Sequence, residues 1–385
     1  MIKSDVSLIR FRPFLAIAIA ATLASIEPAA AQRKKKEKKE EITQTLEVLP
    51  DPPNAVKVDP TRLVFHVSPL SSKGLLSQQV RDGIKELWRL NKGASIVRLR
   101  AWVAGTGDMR RVANIVSEMF TDKRQPLPVV NVIQVGLLPM DGAQVWLEAT
   151  SVAKKVQHPH GIALISGQAG SAAIDPANPS MKVAHLAAKG VADLKTALAG
   201  VQLEAKDVLR VSCLSTSLED YSEARQMVAI AFPQAALTYV QSVRSPASHV
   251  VECEAVARLN APVGAPAKFV QPPGLTASKN FTHVVLVGAP QVILTTTQLA
   301  FRAQDADIRL AFSRLQGILE SAGSSMKHVL FSSVYPLTEA TTARVRAIRF
   351  EFYDSSKPPA STLLLFEGLP SLDASFGVDV VALPK

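Results

Sequence analysis

The sequence has few cysteines and few aromatic residues, and it lacks the short motifs of several common enzyme classes. Only two of its 385 residues are cysteine, and aromatic residues make up 5%. Two thiols without Cys-x-x-Cys spacing are a poor zinc or redox signature. No Gly-x-Ser-x-Gly elbow, phosphate-binding loop or His-Glu-x-x-His pair occurs. Serine-hydrolase, nucleotide-binding and zinc-protease chemistries therefore lack support.

Metal-ligating residues are equally sparse. His158 and His160 flank Pro159 without a nearby third ligand, and this arrangement is more typical of a turn between domains than of a metal site. We expect neither a metal nor a cofactor.

Long hydrophobic runs are also missing, apart from one near the start. Lys3, Arg10 and Arg12 precede an apolar run over Phe14–Ile26, which is followed by a small-residue Ala-x-Ala site. That run is shorter than the roughly 20 residues that span a bilayer. We expect residues 1–31 to be a signal peptide and the remaining chain to be exported, to the periplasm or outside the cell, without an integral membrane span.

The chain is basic, with a formal net charge of +10. Its densest charge cluster, RKKKEKKEE over Arg33–Glu41, is mixed in sign and contains no aromatic residues. Stacking on nucleic-acid bases is therefore not supported. The cluster favours a solvated, disordered tether over residues 32–59, and a specific contact with an anionic membrane is the alternative.

An order of strand, helix, strand, helix and hairpin recurs three times. In each copy a leucine on a helix face precedes the first valine of the next strand by the same spacing, and the pairs are Leu87 and Val97, Leu198 and Val208, and Leu319 and Val329. Such internal similarity is typical of a tandem array. The boundaries that it predicts are 60–155, 156–259 and 281–385, with a Pro/Ala/Gly linker over 260–280.

The second copy resembles the RidA/YjgF (Rid) family. The stretch ALISGQ over 163–168 is similar to the first-strand signature of that family, and FPQAALTYVQSVRSPASHVVECEAVARL is similar to its closing hairpin. The first copy resembles the family best at VIQVGLLPMDGAQVWLEATSV, and the third copy is the most diverged.

The resemblance implies a fold and an assembly. Family members are α/β (α+β) sandwiches that form homotrimers with ligand pockets between subunits. We expect three units, each a mixed sheet covered by two helices, that close into an intramolecular pseudo-trimer of a monomeric chain. Tethering would raise the effective concentration of neighbouring units.

The best-known family chemistry is the hydrolysis of enamines and imines derived from amino acids. The family glutamate near the attacking water falls on Glu148 and Glu254, whereas Val381 stands at the expected place in the third copy. The arginine that clamps the substrate carboxylate would fall on Val130, Ala236 and Ser361. Glu148 and Glu254 are therefore predicted to line clefts that have lost this clamp, or to be structural.

Further candidates come from the second copy. Ser166, Gly167 and Gln168 match positions that line the family cleft, although a turn built on Gly167 explains them equally well. Arg225 and Arg244 are replacement cations or surface residues. The resemblance implies that the strands of Cys213 and Cys253 are neighbours in the sheet, which makes the two cysteines candidates for a disulfide, and the sequence leaves open whether they are bridged.

Three functional hypotheses follow. The first is a non-catalytic protein that binds a small polar metabolite in clefts between repeats, with no confident catalytic residue. The second is an active enamine/imine deaminase that uses a relocated cation. The third is an envelope scaffold that makes contact through the basic tether.

Overall fold

The computed structural model describes residues 48–385 except Thr106, Pro176, Asn178 and Pro179. The predicted signal peptide and residues 32–47 of the predicted tether lie outside the described residues. Within the described part of the chain, no helix combines the length and apolar character needed to cross a membrane.

Three repeats follow the predicted order of elements. Strand β1 (Ala55–Val58) precedes the first repeat, which contains β2 (Leu63–Val67), α1 (Leu76–Leu90), β3 (Ser95–Val103), α2 (Arg110–Asp122), β4 (Val129–Gln134) and β5 (Val145–Val152). The second contains β6 (Ile162–Ala173), α3 (Ala184–Ala199), β7 (Val208–Ser215), α4 (Tyr221–Ala231), β8 (Ala236–Gln241) and β9 (Ser248–Arg258). After β10 (Ala267–Val270) and β11 (Val284–Val287), the third contains β12 (Val292–Thr295), β13 (Gln298–Phe301), α5 (Asp305–Ser321), β14 (Val329–Pro336), α6 (Glu339–Phe352), β15 (Ala360–Leu363) and β16 (Ala374–Ala382).

Each repeat is built on a mixed sheet with two helices, as predicted. The sheet orders are β2-β5-β3-β4, then β10-β11-β6-β9-β7-β8, then β1-β12-β16-β14-β15 with β13 also pairing with β16. The pairs β3–β4, β7–β8 and β14–β15 are parallel, and the other strand pairs are antiparallel. The predicted fold class is confirmed. The predicted hairpin is wrong, because β3, β7 and β14 each lie between the last two strands of their repeat, which are therefore not paired with each other.

Side-chain alternation gives each sheet two different faces. In β3, Leu99, Ala101 and Val103 pack in a core with the buried stripe of α1. Because neighbouring strand residues point to opposite faces, Arg98, Arg100 and Trp102 point away from the helices. All three of these side chains are nevertheless buried, because the other two repeats cover that face.

The three repeats bury their inner faces against one another. Two apolar clusters lie there, and both contain side chains from all three repeats. One includes Leu63, Leu164 and Phe331, and the other includes Trp102, Leu214 and Phe366. The segments that connect the last two strands of each repeat also meet through backbone hydrogen bonds, since the N–H of Gly136 donates to the carbonyl of Gln241 (2.7 Å) and that of Glu367 donates to the carbonyl of Ser242 (3.0 Å).

Short strands cross from one sheet to the next. Strand β1 pairs with β12 of the third repeat, and β11 pairs with β6 of the second repeat. The predicted tether over 32–59 therefore includes an ordered strand at its end, and the predicted linker over 260–280 contains β10. Composition did not reveal these strands, because each is only four residues long and becomes stable only by pairing. Strand β1 pairs with β12, which is distant in sequence, and β10 pairs with β11, which in turn pairs with β6.

Cys213 and Cys253 form a disulfide between directly opposed residues of β7 and β9. Both are fully buried in the core of the second repeat. The bond closes a loop of 40 residues, and loop-closure entropy assigns such a crosslink about 3–4 kcal/mol.

Replacing both cysteines with alanine should therefore lower the free energy of unfolding by about that amount. Urea denaturation followed by circular dichroism measures the change. A loss below about 1 kcal/mol would show that the crosslink contributes little to the stability of the folded chain.

Candidate functional site

Sheet register identifies an acidic residue at one equivalent position in every repeat. Glu148 lies opposite Arg100, Glu254 opposite Ser212, and Asp379 opposite Ser333. The expected third position, Val381, is two residues too far along β16. Asp379 lies ten residues after Leu369 of its Leu-Pro turn, just as Glu148 lies ten residues after Leu138, so the same spacing marks the acid in both repeats.

Register also corrects the position assigned to the family arginine in the second repeat. Val130 of the first repeat is equivalent to Leu237, not to Ala236, and to Ser361 of the third repeat. In the second copy Ser245, not Arg244, is the residue before the turn proline, where the other two copies have leucine. The position eight residues earlier is therefore Leu237 and not Ala236.

The three acids belong to a buried belt of charges between the sheets. Arg100 Nη1 lies 3.2 Å from Glu254 Oε1 and 3.6 Å from Glu148 Oε2. Arg210 Nη2 donates to Glu254 Oε1 at 2.6 Å, and Arg98 donates to Asp379. Three arginines and three carboxylates therefore balance one another.

Glu148 is held by neutral donors as well. Trp102 Nε1 donates to its Oε1 at 2.9 Å, Ser212 Oγ donates at 3.0 Å, and Thr238 donates to the same oxygen. Burial opposes ionisation of Glu148, but the charges of Arg100 and Arg210 outweigh it, and the pKa is lowered. The same balance lowers the pKa of Glu254. Both carboxylates are therefore ionised. Glu148 Oε1 accepts all three of these hydrogen bonds, whereas its Oε2 has no hydrogen-bond partner among the described residues.

Glu148 and Glu254 thus lie buried between the sheets. The prediction that they line an open cleft is wrong, and their contacts fit the alternative, a structural role. Their exposed fractions are 5% and 2%. The arginines at alternate positions of the apolar stretch SIVRLRAWV were the signal of this arrangement, because a cation on an inner strand face requires a buried anion.

An open cleft does lie between the second and third repeats. Its volume is about 550 Å³. Strands β6 and β9 and helix α3 form one wall, and α6, β15 and the segment before β11 form the other. The lining residues are Gly167, Gln168, Ala169, Lys189, Asp193, Glu252, Gly274, Leu275, Thr276, Asn280, Phe281, His283, Arg346, Arg349, Ser361 and Leu363.

Two of the predicted cleft residues are here and one lies just behind it. Gly167 and Gln168 line the cleft. Ser166 is buried, where its hydroxyl donates to Thr282 O at 2.6 Å and accepts from Ser361 N–H at 2.8 Å. Ser166 therefore joins the two walls instead of facing a ligand.

Glu252 is the buried carboxyl of the cleft. Burial first, and then the neighbouring charge of Glu254, raise its pKa to about 8. Gly167 makes room for it, since a Cβ at that position would lie 1.9 Å from Glu252 Oε1. The equivalent residues in the other repeats are Trp146 and Gly377, so this titratable group belongs to the second repeat alone.

Cations reach the cleft from helix α6. Arg349 is 3% exposed and donates through Nη2 to Asn280 O at 2.7 Å, whereas Arg346 is exposed. Their spacing of three places both on one face of the helix. Sequence analysis missed Glu252, Arg346 and Arg349, although Glu252 shares a strand face with Glu254 and helical spacing links the two arginines.

Arg225 and Arg244 lie elsewhere. Arg225 is exposed on α4. Arg244 Nε donates to Gly136 O at 3.0 Å, and its N–H donates to Glu367 at 2.9 Å. Arg244 therefore connects the β4–β5, β8–β9 and β15–β16 segments of the three repeats by hydrogen bonds. It does not line the cleft.

Metal ligands are not assembled within the described residues, where no group of three His, Cys, Asp or Glu side chains could hold an ion. His158 is buried with its Nε2 2.7 Å from Leu63 O, which matches its assignment to a turn between repeats.

No family model and no curated protein matches the sequence. Among solved structures the chain is similar to a conserved Rid-family protein of unknown function from Yersinia pestis, with 18% identity, 31% of this chain and 98% of that chain covered, and a TM-score of 0.29. It is also similar to a YjgF-family member from Neisseria meningitidis (16% identity, 31% and 95% covered, TM-score 0.24). A third is the yjgF gene product of E. coli (20% identity, 24% and 81% covered, TM-score 0.22). These neighbours are structures of the Rid/YjgF family, and each covers between 24% and 31% of this chain.

Proposed function

We propose that this chain is an exported, single-chain pseudo-trimer that binds a small anionic metabolite in the cleft between its second and third repeats. One observation carries the proposal: a cleft of about 550 Å³ combines two arginines with a buried carboxyl group that holds its proton at neutral pH. The cleft is within the size range of small-molecule sites.

The ligand class follows from the charges of the lining. Arg346 and Arg349 supply guanidinium groups that suit a carboxylate or phosphate. Glu252, with a pKa of about 8, is mostly protonated at pH 7 and can donate a hydrogen bond to an anion. Two cations and one acidic donor favour a monoanionic or dianionic ligand over a cationic one.

Export is supported by two independent features. The leader over residues 1–31 has the pattern of a signal peptide. The disulfide between Cys213 and Cys253 is of the kind that persists in an oxidising compartment.

Binding is favoured over the deaminase reaction. The two glutamates expected to act near the attacking water, Glu148 and Glu254, are paired with Arg100 and are absent from the cleft lining.

A panel of amino acids, 2-oxo acids and phosphorylated metabolites tests the proposal by thermal shift and calorimetry. At least one anion should raise the melting temperature of the mature chain. Arg346→Ala should weaken its binding by about tenfold or more, because a charge-assisted hydrogen bond contributes about 1.5–3 kcal/mol.

Arg344→Ala is the matched control. Arg344 is exposed on the same helix, but it pairs with Asp305 at 2.9 Å and does not line the cleft. If Arg346→Ala and Arg344→Ala bind the anion with equal affinity, the anion does not bind in the cleft. A panel without any stabilising anion would contradict the proposal, and ammonia release from freshly generated imino acids would support the deaminase instead.

A further inference from the structure

A second, much smaller cavity lies between the three sheets. Its volume is about 30 Å³. The wall consists of three arginines, one threonine and nine apolar side chains, and these are Arg98, Arg100, Arg210, Thr150, Leu63, Phe65, Ile162, Leu164, Val256, Val292, Leu294, Phe331 and Val381. All three repeats contribute to it.

The arginines bring unused hydrogen-bond donors to this wall. The Nε atoms of Arg98, Arg100 and Arg210 are buried and have no acceptor among the described residues. The carboxylates of Glu148, Glu254 and Asp379 engage Nη atoms of the same arginines. None of those carboxylates lines the cavity.

The three cations also act on one another. Burial lowers the pKa of Arg210, and the charges of Arg100 and Arg98 lower it further, while Glu254 and Glu148 oppose the change. A guanidinium group stays charged at neutral pH. An acceptor placed beside the Nε atoms would therefore relieve the cost of leaving these buried donors unpaired.

Size and wall chemistry define the occupant. A cavity of about 30 Å³ holds one water molecule or one monoatomic ion, since a water needs about 10–15 Å³ of probe volume. Among the side chains of the wall only Thr150 can accept a hydrogen bond, so these side chains offer more partners to an acceptor than to a donor. A halide only accepts.

We propose that the cavity binds a single halide ion, chloride under ordinary conditions, as a buried structural ligand that links the first and second repeats. Arg98 and Arg100 lie on β3. Arg210 lies on β7, at the position equivalent to Arg98. The third repeat closes the site with Val292, Leu294, Phe331 and Val381.

Melting temperatures in 150 mM sodium chloride, sodium bromide and sodium gluconate test this inference at constant ionic strength. Chloride and bromide should raise the melting temperature by about 2–4 °C over gluconate. Val292→Leu adds a methylene group to the cavity wall and should abolish that difference. Val287→Leu is the matched control, because Val287 is equally buried in the same apolar cluster but does not line the cavity.

Crystals grown in bromide supply a second readout on the unmodified chain. The expected result is an anomalous peak within hydrogen-bonding distance of the three arginines. A cavity that holds only water, or a halide effect that survives Val292→Leu, would overturn the inference. Arg346→Ala should keep the halide effect, so the outcome is independent of ligand binding in the cleft.

Discussion

Replacing Arg100 with methionine should lower the free energy of unfolding by about 3–5 kcal/mol. The Arg100 side chain is 4% exposed and faces both Glu148 and Glu254. Methionine keeps most of the volume but leaves carboxylates buried with too little positive charge, and Arg210 alone must then neutralise Glu254. Urea denaturation at neutral pH measures the loss.

Two further variants test the cause. Arg89→Met removes an arginine that is 68% exposed and pairs with Glu86, so its effect should stay within about 1 kcal/mol. Adding Glu254→Gln to Arg100→Met should recover part of the loss, because it removes one uncompensated charge. If Glu254→Gln destabilises the Arg100→Met variant as much as it destabilises the wild type, the buried charges do not act as a coupled unit.

Glu252→Gln should change how stability depends on pH. The pKa of Glu252 rises from its usual 4.5 in the unfolded chain to about 8 in the folded protein. The folded state therefore binds this proton more tightly, and the stability that it contributes is fully present below about pH 4.5. That stability is lost as the pH rises towards 8, by roughly 3–5 kcal/mol in total.

The comparison of stability curves isolates this group. Wild type and Glu252→Gln should have similar stability near pH 5, and the variant should be the more stable of the two near pH 9. Glu86→Gln, an exposed change on α1, serves as the control and should run parallel to the wild type. Parallel curves for Glu252→Gln would mean that the carboxyl group is ionised in the folded protein at neutral pH.

Much of the fold follows from local sequence patterns. The valine of the recurring spacing is the first residue of β7 and β14, but β3 begins two residues before Val97. The leucines mark the buried face of the first helix in each repeat, because Leu87, Leu198 and Leu319 all pack in the cores beneath their sheets. These positions are set by periodicity within one repeat.

The site was harder to predict, because it depends on which faces of different repeats meet. Glu148 and Glu252 occupy non-equivalent positions on strands β5 and β9, yet one faces a buried arginine and the other faces an open cleft. A strand pattern shows which residues share a face, but it does not show what covers that face. Asp379, in contrast, was predictable from the sequence, because it follows Leu369 by ten residues just as Glu148 follows Leu138.

The pairing of β1 with the third repeat has a consequence for the order of folding. Val58 pairs with Val292, so a segment made early in synthesis has no partner until most of the polypeptide has emerged. Contacts this distant along the chain slow folding, because loop-closure entropy is lost before the contact forms. The last repeat to be synthesised therefore completes the sheet that the first strand enters, and a nascent chain that stops short of β12 leaves an unpaired edge open to association.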